Sequence, residues 1–365
     1  MPRIRAELGL PALDRQVGLA AHDLAGALGA PQVLLTRARR DARAPAIASR
    51  FWLRLEAMSG GLATDAALES WTRQLDTPRD HAPAARPAPV VPPQWRPQRL
   101  SVTEVDRLKA DPFAFYARRV LGLAALDPVD ADPSAAWRGT AVHAILEAWA
   151  KQDGCDPGKL AQRALAMMAD ARTHPMLRAL WQPRLLEAID WIASEMAAQQ
   201  AEGRRVIAAE AAGKAEIAGV LLTGKADRID RLPDGGLGVV DYKTGKPPSS
   251  RAVAAGFSLQ LGLIGAIAER GGFDGIEGRA AAFDYWSLGK KRDAFGYIES
   301  PVDPNGKYNK VPTDDFVAIA VGHFADAAAT WLTGNAPFKA KLHPEYAPYA
   351  DYDQLMRLDE WYGRG

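Results

Sequence analysis

The chain has 365 residues, of which 48% are hydrophobic and 24% charged, so it can bury a sizeable core and is expected to form more than one domain. Forty-five basic and forty-four acidic residues leave a net charge of +1, which gives no bulk-charge argument for nucleic acid, membrane or acidic ligands. The single cysteine, Cys155, excludes an internal disulfide, a four-cysteine zinc site and an iron–sulfur cluster held by this chain alone. A reducing cytoplasm is the expected compartment, with no membrane association, because no run of about 18 apolar residues occurs.

The first 60 residues have the pattern of a short α/β piece. Helices are predicted around 17–28 and 49–58, with an apolar strand at Val33–Leu35 between them. Because about 60 residues make a poor independent core, this piece is interpreted as the remnant of a larger domain. Residues 61–98 are predicted to form one more helix, at 62–75, and a proline-rich extended linker that marks a domain boundary.

Residues 99–365 are predicted to form one α/β domain. Ser101 with Glu104 gives a capping-box pattern at the start of a helical region that Pro112 interrupts. Helices are predicted over 136–152 and within 157–201, and three strand-like segments follow between 206 and 245. A helix over 258–269, further strands and a helix near 314–332 complete the pattern. This order of elements indicates a central mixed β-sheet flanked by helices.

Two neighbouring strands each carry an acid, in the segments GKADRID and VVDYKTG. A three-residue loop between the strands would place Asp227 opposite Asp241, whereas a two-residue loop would place Asp227 opposite Tyr242. Period-2 alternation places Lys243 on the face of Asp241. Paired carboxylates at that distance suit Mg²⁺ or Mn²⁺, and an adjacent lysine suits phosphodiester hydrolysis. The alternative is a surface ion pair between Asp241 and Lys243 on a solvated strand.

Two other polar residues lie on predicted helices. His143 is one step from the apolar stripe of its helix, where a histidine is more often a core-edge residue bonded to a neighbour than a ligand. Gln260 shares a helix face with Leu263, Ile264 and Ile267, where a buried amide needs hydrogen-bond partners.

The segments GKADRID and VVDYKTG resemble the nuclease motif of the RecB-type branch of the PD-(D/E)XK superfamily. The resemblance is closest to the C-terminal nuclease domain of AddB double-strand break repair proteins of the alphaproteobacterial kind. SVTEVDRLKADPFAFYARRVLGL resembles the entry helix of that family, RGTAVHAILE its histidine helix and FSLQLGLI its glutamine helix. These segments cover roughly residues 99–270 in the order of the family.

The resemblance implies a restriction-endonuclease-like fold and a metal-dependent deoxyribonuclease. It implies Mg²⁺, or Mn²⁺, bound by His143, Asp227, Asp241 and the main-chain carbonyl of Tyr242. It also implies that Lys243 is the catalytic lysine. Gln260 is expected near that lysine or the DNA, as a further residue of the catalytic site. The implied partners are DNA and an AddA-like helicase–nuclease subunit, in double-strand break repair.

The sequence departs from the AddB pattern in several places. Ile264 stands where the family commonly has a tyrosine, and Cys155 alone cannot hold the iron–sulfur cluster of some relatives. The aromatic C-terminal tail is therefore predicted to close the domain through Tyr346, Tyr349, Tyr352, Leu355 and Trp361.

The chain is also much shorter than an AddB protein, and no G-x-x-x-x-G-K-[ST] phosphate loop occurs, so no ATPase site is expected in it. Two alternatives to the AddB-like nuclease remain: a non-cleaving DNA-binding or subunit-docking module, and a free-standing exonuclease. Residues 1–98 carry thirteen Lys and Arg against nine Asp and Glu, and residues 99–365 carry thirty-two against thirty-five. Because the domain is slightly acidic, a bound cation, a few local basic residues and a partner's channel are the expected sources of attraction for DNA.

Overall fold

The protein is described here by a computed structural model that covers residues 5, 7–9, 13–41, 44–77, 79, 84–126, 135–169, 175–291 and 294–363. These residues belong to two compact units, 1–82 and 83–365. In the described part of the chain, no helix combines the length and the apolar character needed to cross a membrane.

The first unit contains the helices α1 (Leu13–Leu28), α2 (Arg50–Ser59) and α3 (Ala66–Asp76). Side-chain oxygens of Ser49 and Asp65 cap α2 and α3 by accepting from backbone N–H groups of their first turns. The predicted strand at Val33–Leu35 is wrong: residues 33–38 are in no strand. The described part of this unit offers no strand for them to pair with, and α2 and α3 bury no residue.

The segment 84–98, predicted as a linker, is extended but packs on the second unit. The Pro87 and Pro89 carbonyls accept hydrogen bonds from the Ala340 and Phe338 N–H groups, at 2.9 and 2.8 Å. Val91 is 3% exposed and belongs to the main core. The expectation of an unpacked linker is therefore wrong for these residues, because prolines lack N–H groups but keep carbonyls that accept hydrogen bonds. Residues 78 and 80–83 of the predicted segment lie outside the described residues.

The second unit alternates helices and strands, as expected. Its described helices are α4 (Val105–Ala110), α5 (Pro112–Arg119), α6 (Ala135–Asp153), α7 (Pro157–Ala169), α8 (Pro175–Ala201), α9 (Ser250–Ala254), α10 (Gln260–Glu269), α11 (Phe316–Ala327) and α12 (Leu358–Trp361). Its described strands are β1 (Arg99–Ser101), β2 (Arg205–Ile217), β3 (Val220–Arg231), β4 (Leu237–Lys243), β5 (Ala280–Lys291), β6 (Ala294–Glu299), β7 (Val302–Asp303) and β8 (Val311–Pro312).

Strands β1 to β6 form a mixed sheet in which β3 is the organising strand. One edge of β3 pairs antiparallel with β2 along its length. The other edge is shared, because β1 pairs parallel with residues 221–223 and β4 pairs antiparallel with residues 228–231. Strand β5 continues the sheet parallel to β4, and β6 pairs antiparallel with β5. Between the ends of β1 and β4 the sheet opens beside β3.

Two hydrophobic layers cover the sheet. Leu237, Val239 and Phe283 belong to the same core as the buried helix α10, whereas Val240 and Trp286 belong to the core formed with α6, α7 and α8. This alternation is what period-2 strands produce when both faces are covered. The observed architecture confirms the predicted mixed sheet flanked by helices.

The C-terminal segment packs on α5, partly as predicted. Lys341 is 5% exposed, and its Nζ lies 2.9 Å from Asp353 Oδ1 and 3.6 Å from Asp111 Oδ2. Tyr352 is 7% exposed in a cluster with residues of α5, and Trp361 packs against this cluster. The prediction is wrong for Tyr349 and Leu355, which are 62% and 49% exposed.

A buried acid of α4 makes stability depend on pH. Ser258 N–H donates to both Asp106 oxygens at 2.9 Å, yet burial raises the pKa of Asp106 to about 6. Because this pKa lies above that of the unfolded chain, its contribution to stability is present below about pH 4 and is lost as the pH rises through 6. We expect the unfolding free energy of the wild type, relative to Asp106→Asn, to fall by about 2–3 kcal/mol between pH 4 and pH 7 in urea titrations.

A matched control for this experiment is the exposed Asp315. We expect Asp315→Asn to follow the wild-type pH profile. A wild-type curve that runs parallel to the Asp106→Asn curve across this range would contradict the assignment to Asp106.

Candidate active site

The β3–β4 hairpin brings two acids together at the opening of the sheet. Leu232 N–H donates to the Gly236 carbonyl, and Arg228 is paired with Val240. The loop therefore has three residues, and Gly235 within it has φ 88°, a conformation that glycine adopts without strain. This register confirms the predicted placement of Asp227 opposite Asp241. The Tyr242 N–H donates to Asp227 Oδ2 at 2.8 Å, where β4 leaves β3.

Asp241 is held by a lysine and an amide. It is 3% exposed, with Lys243 Nζ 2.6 Å from its Oδ2. Gln260, the first residue of α10, donates from Nε2 to Asp241 Oδ1 at 2.8 Å. Alternation along β4 sends the Tyr242 ring to the opposite face, into the core beneath α6–α8. The ion pair is therefore at the buried end of a strand and not on a solvated strand.

His143 approaches Asp227 from α6, on the other side of the opening. Its Nδ1 lies 3.6 Å from Asp227 Oδ1 and 3.0 Å from Oε1 of Glu210, a residue of β2. Among the described residues, His143, Glu210 and Asp227 each offer a ligand atom within 4.8 Å of the other two. Asp241 is not a member of that group; Lys243 and Gln260 engage it instead.

Glu210 is a site residue that the sequence reasoning missed. The two-residue turn Ala218-Gly219 joins β2 to β3, and both residues have positive φ, at 52° and 74°. The resulting register pairs Ala209 with Arg228 and Ala211 with Ala226, so Glu210 stands opposite Asp227. The register counted back from that turn could have identified Glu210 from the sequence. Glu210 has φ 51°, a left-handed conformation that is strained for a non-glycine residue and is typical of functional sites.

A second lysine neutralises Glu210 on its outer side. Lys225 Nζ lies 2.6 Å from Glu210 Oε2, and its side chain is 55% exposed. Burial alone raises the pKa of Glu210, but the hydrogen bonds from His143 and Lys225 outweigh it and hold this pKa below the usual value. The hydrogen bond to Glu210 in turn raises the pKa of His143.

The two central acids are poorly compensated by the chain itself. Burial, with the nearby charge of Asp241, raises the pKa of Asp227 to about 7. Burial also raises the pKa of Asp241, against the opposing effect of Lys243. Such crowding of buried carboxylates disfavours their charged forms unless a cation lies among them.

The donor set fits a divalent cation. Carboxylate oxygens of Glu210 and Asp227 with one imidazole nitrogen are ligands that Mg²⁺ and Mn²⁺ accept, and a cation would offset the repulsion between the acids. The residues of this site can therefore hold a metal ion and present a lysine beside it. That combination suits hydrolysis of a phosphate ester.

Comparisons with known proteins point in the same direction. The family model of the PD-(D/E)XK nuclease superfamily matches residues 99–351. Uncharacterized proteins of Rickettsia bellii and Rickettsia conorii are each 28% identical to the chain, over 188 and 178 residues. The matches cover 49% and 45% of this chain but 22% and 21% of those proteins, so the matched region spans about a fifth of their length.

One solved structure, described as a "putative exonuclease" from Eubacterium rectale, is 13% identical with a TM-score of 0.36. That match covers 69% of this chain and 88% of the other.

Proposed function

Because the chain belongs to the PD-(D/E)XK nuclease superfamily, we propose that it is a Mg²⁺-dependent deoxyribonuclease. It hydrolyses phosphodiester bonds of single-stranded or unwound DNA, starting from strand ends. The observation that carries this proposal is the meeting of Asp227, Asp241 and Lys243 with His143 where the sheet opens between β1 and β4. Mn²⁺ is the alternative metal, since carboxylate oxygens suit it as they suit Mg²⁺.

The residues divide into two roles. His143, Glu210 and Asp227 would hold the metal, with Asp241 and the Tyr242 carbonyl as the further ligands that the family resemblance implies. When bound, the metal supplies charge that stabilises the phosphate and lowers the pKa of a bound water. Lys243 orients the attacking water and offsets the charge that develops on the phosphate oxygens. Gln260 holds Asp241 through its amide, so that the carboxylate stays beside Lys243.

The proposed setting is double-strand break repair, in a complex like AddAB. The order of the motif-bearing segments between residues 99 and 270 supports an AddB-type relationship, and the Rickettsia proteins place a similar region within much longer chains. Because residues 99–365 carry three more acidic than basic residues, 35 against 32, an AddA-like partner would supply the positive channel that leads the strand to this site. This role assigns the chain to the cytoplasm.

A cleavage assay tests the nuclease. We expect the full chain to degrade an end-labelled single-stranded oligonucleotide with Mg²⁺ or Mn²⁺ and to be inactive in EDTA. Asp227→Asn should slow cleavage at least about 100-fold, because it removes a charged ligand. At a metal concentration one hundred times its Kd, binding should stabilise the wild type by about 2.7 kcal/mol and so raise its melting temperature. The melting temperature of Asp227→Asn should not change.

The matched control is Asp274→Asn, at an exposed residue remote in sequence from the centre. Activity that survives Asp227→Asn would reject the site. Inactivity of the wild type in every metal, with DNA binding retained, would instead favour the non-cleaving module.

A further inference from the structure

A cavity of about 450 Å³ lies between helices α4 and α5, the loop before α10 and the C-terminal segment. Its lining includes Arg107 and Arg118 of the helices, Ser258 of the loop, and Tyr346 and Tyr349 of the C-terminal segment. Its volume is within the range of about 300–1,000 Å³ that ligand pockets occupy. None of the active-site residues described above lines this cavity.

The cavity nevertheless adjoins that centre. Ser258 is two residues before Gln260, whose amide binds Asp241. The Ser258 carbonyl also accepts a hydrogen bond from the Tyr285 hydroxyl at 3.3 Å, and Lys243 Nζ lies 5.8 Å from the centroid of the Tyr285 ring. Tyr285 therefore connects the wall of the cavity at Ser258 with the surroundings of Lys243.

The acids around the cavity are already engaged. Glu104 accepts from the Ser101 N–H and hydroxyl at 3.2 and 2.9 Å, and pairs with Arg119 at 3.4 Å. Asp106 accepts two hydrogen bonds from Ser258 N–H. Asp111 accepts from backbone N–H groups of Ala114 and Lys341, each at 3.1 Å.

The arginines, in contrast, have no acidic partner. Among the described residues, neither Arg107 nor Arg118 lies within 4 Å of a carboxylate. Other arginines do form such pairs, namely Arg39, Arg73, Arg119, Arg163, Arg204, Arg228, Arg279 and Arg357. Two guanidinium groups without acidic partners beside a cavity favour an anionic ligand, since they bind phosphate through several N–H donors.

Aromatic rings form the opposite wall. Tyr346 is fixed by stacking on Phe257, with ring centroids 4.1 Å apart and planes 18° from parallel. Tyr349 is 62% exposed, and the Arg107 guanidinium carbon lies 5.1 Å from its ring centroid. An exposed ring beside cationic groups is the combination that proteins use to bind single-stranded nucleic acid without reading its sequence.

We propose that this cavity binds one nucleotide of the single-stranded DNA next to the bond that is cut, with Arg107 and Arg118 on its phosphate and Tyr349 stacked on its base. The proposal deepens the nuclease function above and rests on it for the identity of the ligand. It gives this slightly acidic domain a local attraction for the strand.

Binding of a short fluorescein-labelled oligothymidylate to the full chain, measured by anisotropy in EDTA, tests the cavity without cleavage. We expect the Arg107→Ala/Arg118→Ala double variant to raise Kd at least about tenfold. Loss of this phosphate contact should also reduce the slope of log Kd against log salt by about 0.7. Tyr349→Ala should weaken binding about tenfold, whereas Tyr349→Phe should keep wild-type affinity because the ring is retained.

The control is Arg270→Ala, an exposed arginine just beyond the far end of α10, about 15 Å along the helix axis from Gln260. Wild-type binding by the double variant, or an equal loss in Arg270→Ala, would overturn the proposal. A wild type that binds through Arg107 and Arg118 but cleaves nothing would reject the nuclease and keep the binding site. Cleavage by the wild type, together with wild-type DNA affinity in the double variant, would reject the binding site and keep the nuclease.

Discussion

Lys243→Met is expected to slow cleavage of single-stranded DNA at least about 100-fold, because the variant keeps the length of the side chain but removes the ammonium that faces the reaction. Lys243 Nζ lies 2.6 Å from Asp241, and the side chain is 31% exposed, so it is open to a substrate phosphate and water. Single-turnover rates at saturating metal measure the effect. We expect the rate of the chemical step to fall while Kd for the oligonucleotide changes little.

Lys246→Met is the matched control for this experiment. Lys246 is exposed and three residues beyond Lys243. The same change there removes an equal charge outside the active site. Its activity should remain close to wild type. Equal losses in both variants would show that general charge, and not the ammonium of Lys243, drives cleavage; melting temperatures would identify any loss due to unfolding.

Asp230→Ala is expected to destabilise the chain by about 3–5 kcal/mol, because it leaves the buried Arg228 guanidinium without its acid. Arg204 keeps a second acid, Asp284, at 3.0 Å. Asp230 is 1% exposed; its Oδ2 lies 2.6 Å from Arg204 Nε and 2.9 Å from an Arg228 terminal nitrogen. Arg228 also donates to the Tyr242 hydroxyl at 3.0 Å and lies over the Trp286 ring at 4.2 Å. Urea unfolding of the full chain measures the change.

The comparison for this variant is Asp274→Ala, which removes an exposed carboxylate. We expect it to shift the free energy of unfolding by less than about 0.5 kcal/mol. If Asp230→Ala unfolded at the same urea concentration as Asp274→Ala, the buried network would carry no net stability.

Part of the active-site geometry could be predicted, because it depends on sequence patterns over a few residues. Period-2 alternation sufficed to put Lys243 on the face of Asp241. The sequence Pro-Asp-Gly-Gly predicted a hairpin but left its loop length open, and with it whether Asp227 lies opposite Asp241 or Tyr242. The helices of His143 and Gln260 could also be predicted, but not which atoms they contact, since those contacts join residues far apart in sequence. The roles of these residues and the partner subunit remain predictions.

The features that could not be predicted from the sequence depend on pairing between segments that are separate along the chain. Glu210 lies in an alanine-rich strand with no motif around it, and only the register across the Ala218-Gly219 turn shows that it faces Asp227. Val33–Leu35 had the composition of a strand but no neighbour to pair with. The extended part of the proline-rich segment is positioned by the Pro87 and Pro89 carbonyls, which accept hydrogen bonds from residues 340 and 338, far away in sequence.

Those last contacts affect how the second unit forms during synthesis. Residues 87 and 89 are paired with a segment about 250 positions later, and Lys341 joins α5 to the C-terminal tail. Helix α5 therefore completes its packing only after the segment that includes Ala340, Tyr352 and Met356 has been synthesised. Until residues 340–356 have left the ribosome, apolar surface on α5 stays uncovered and open to aggregation.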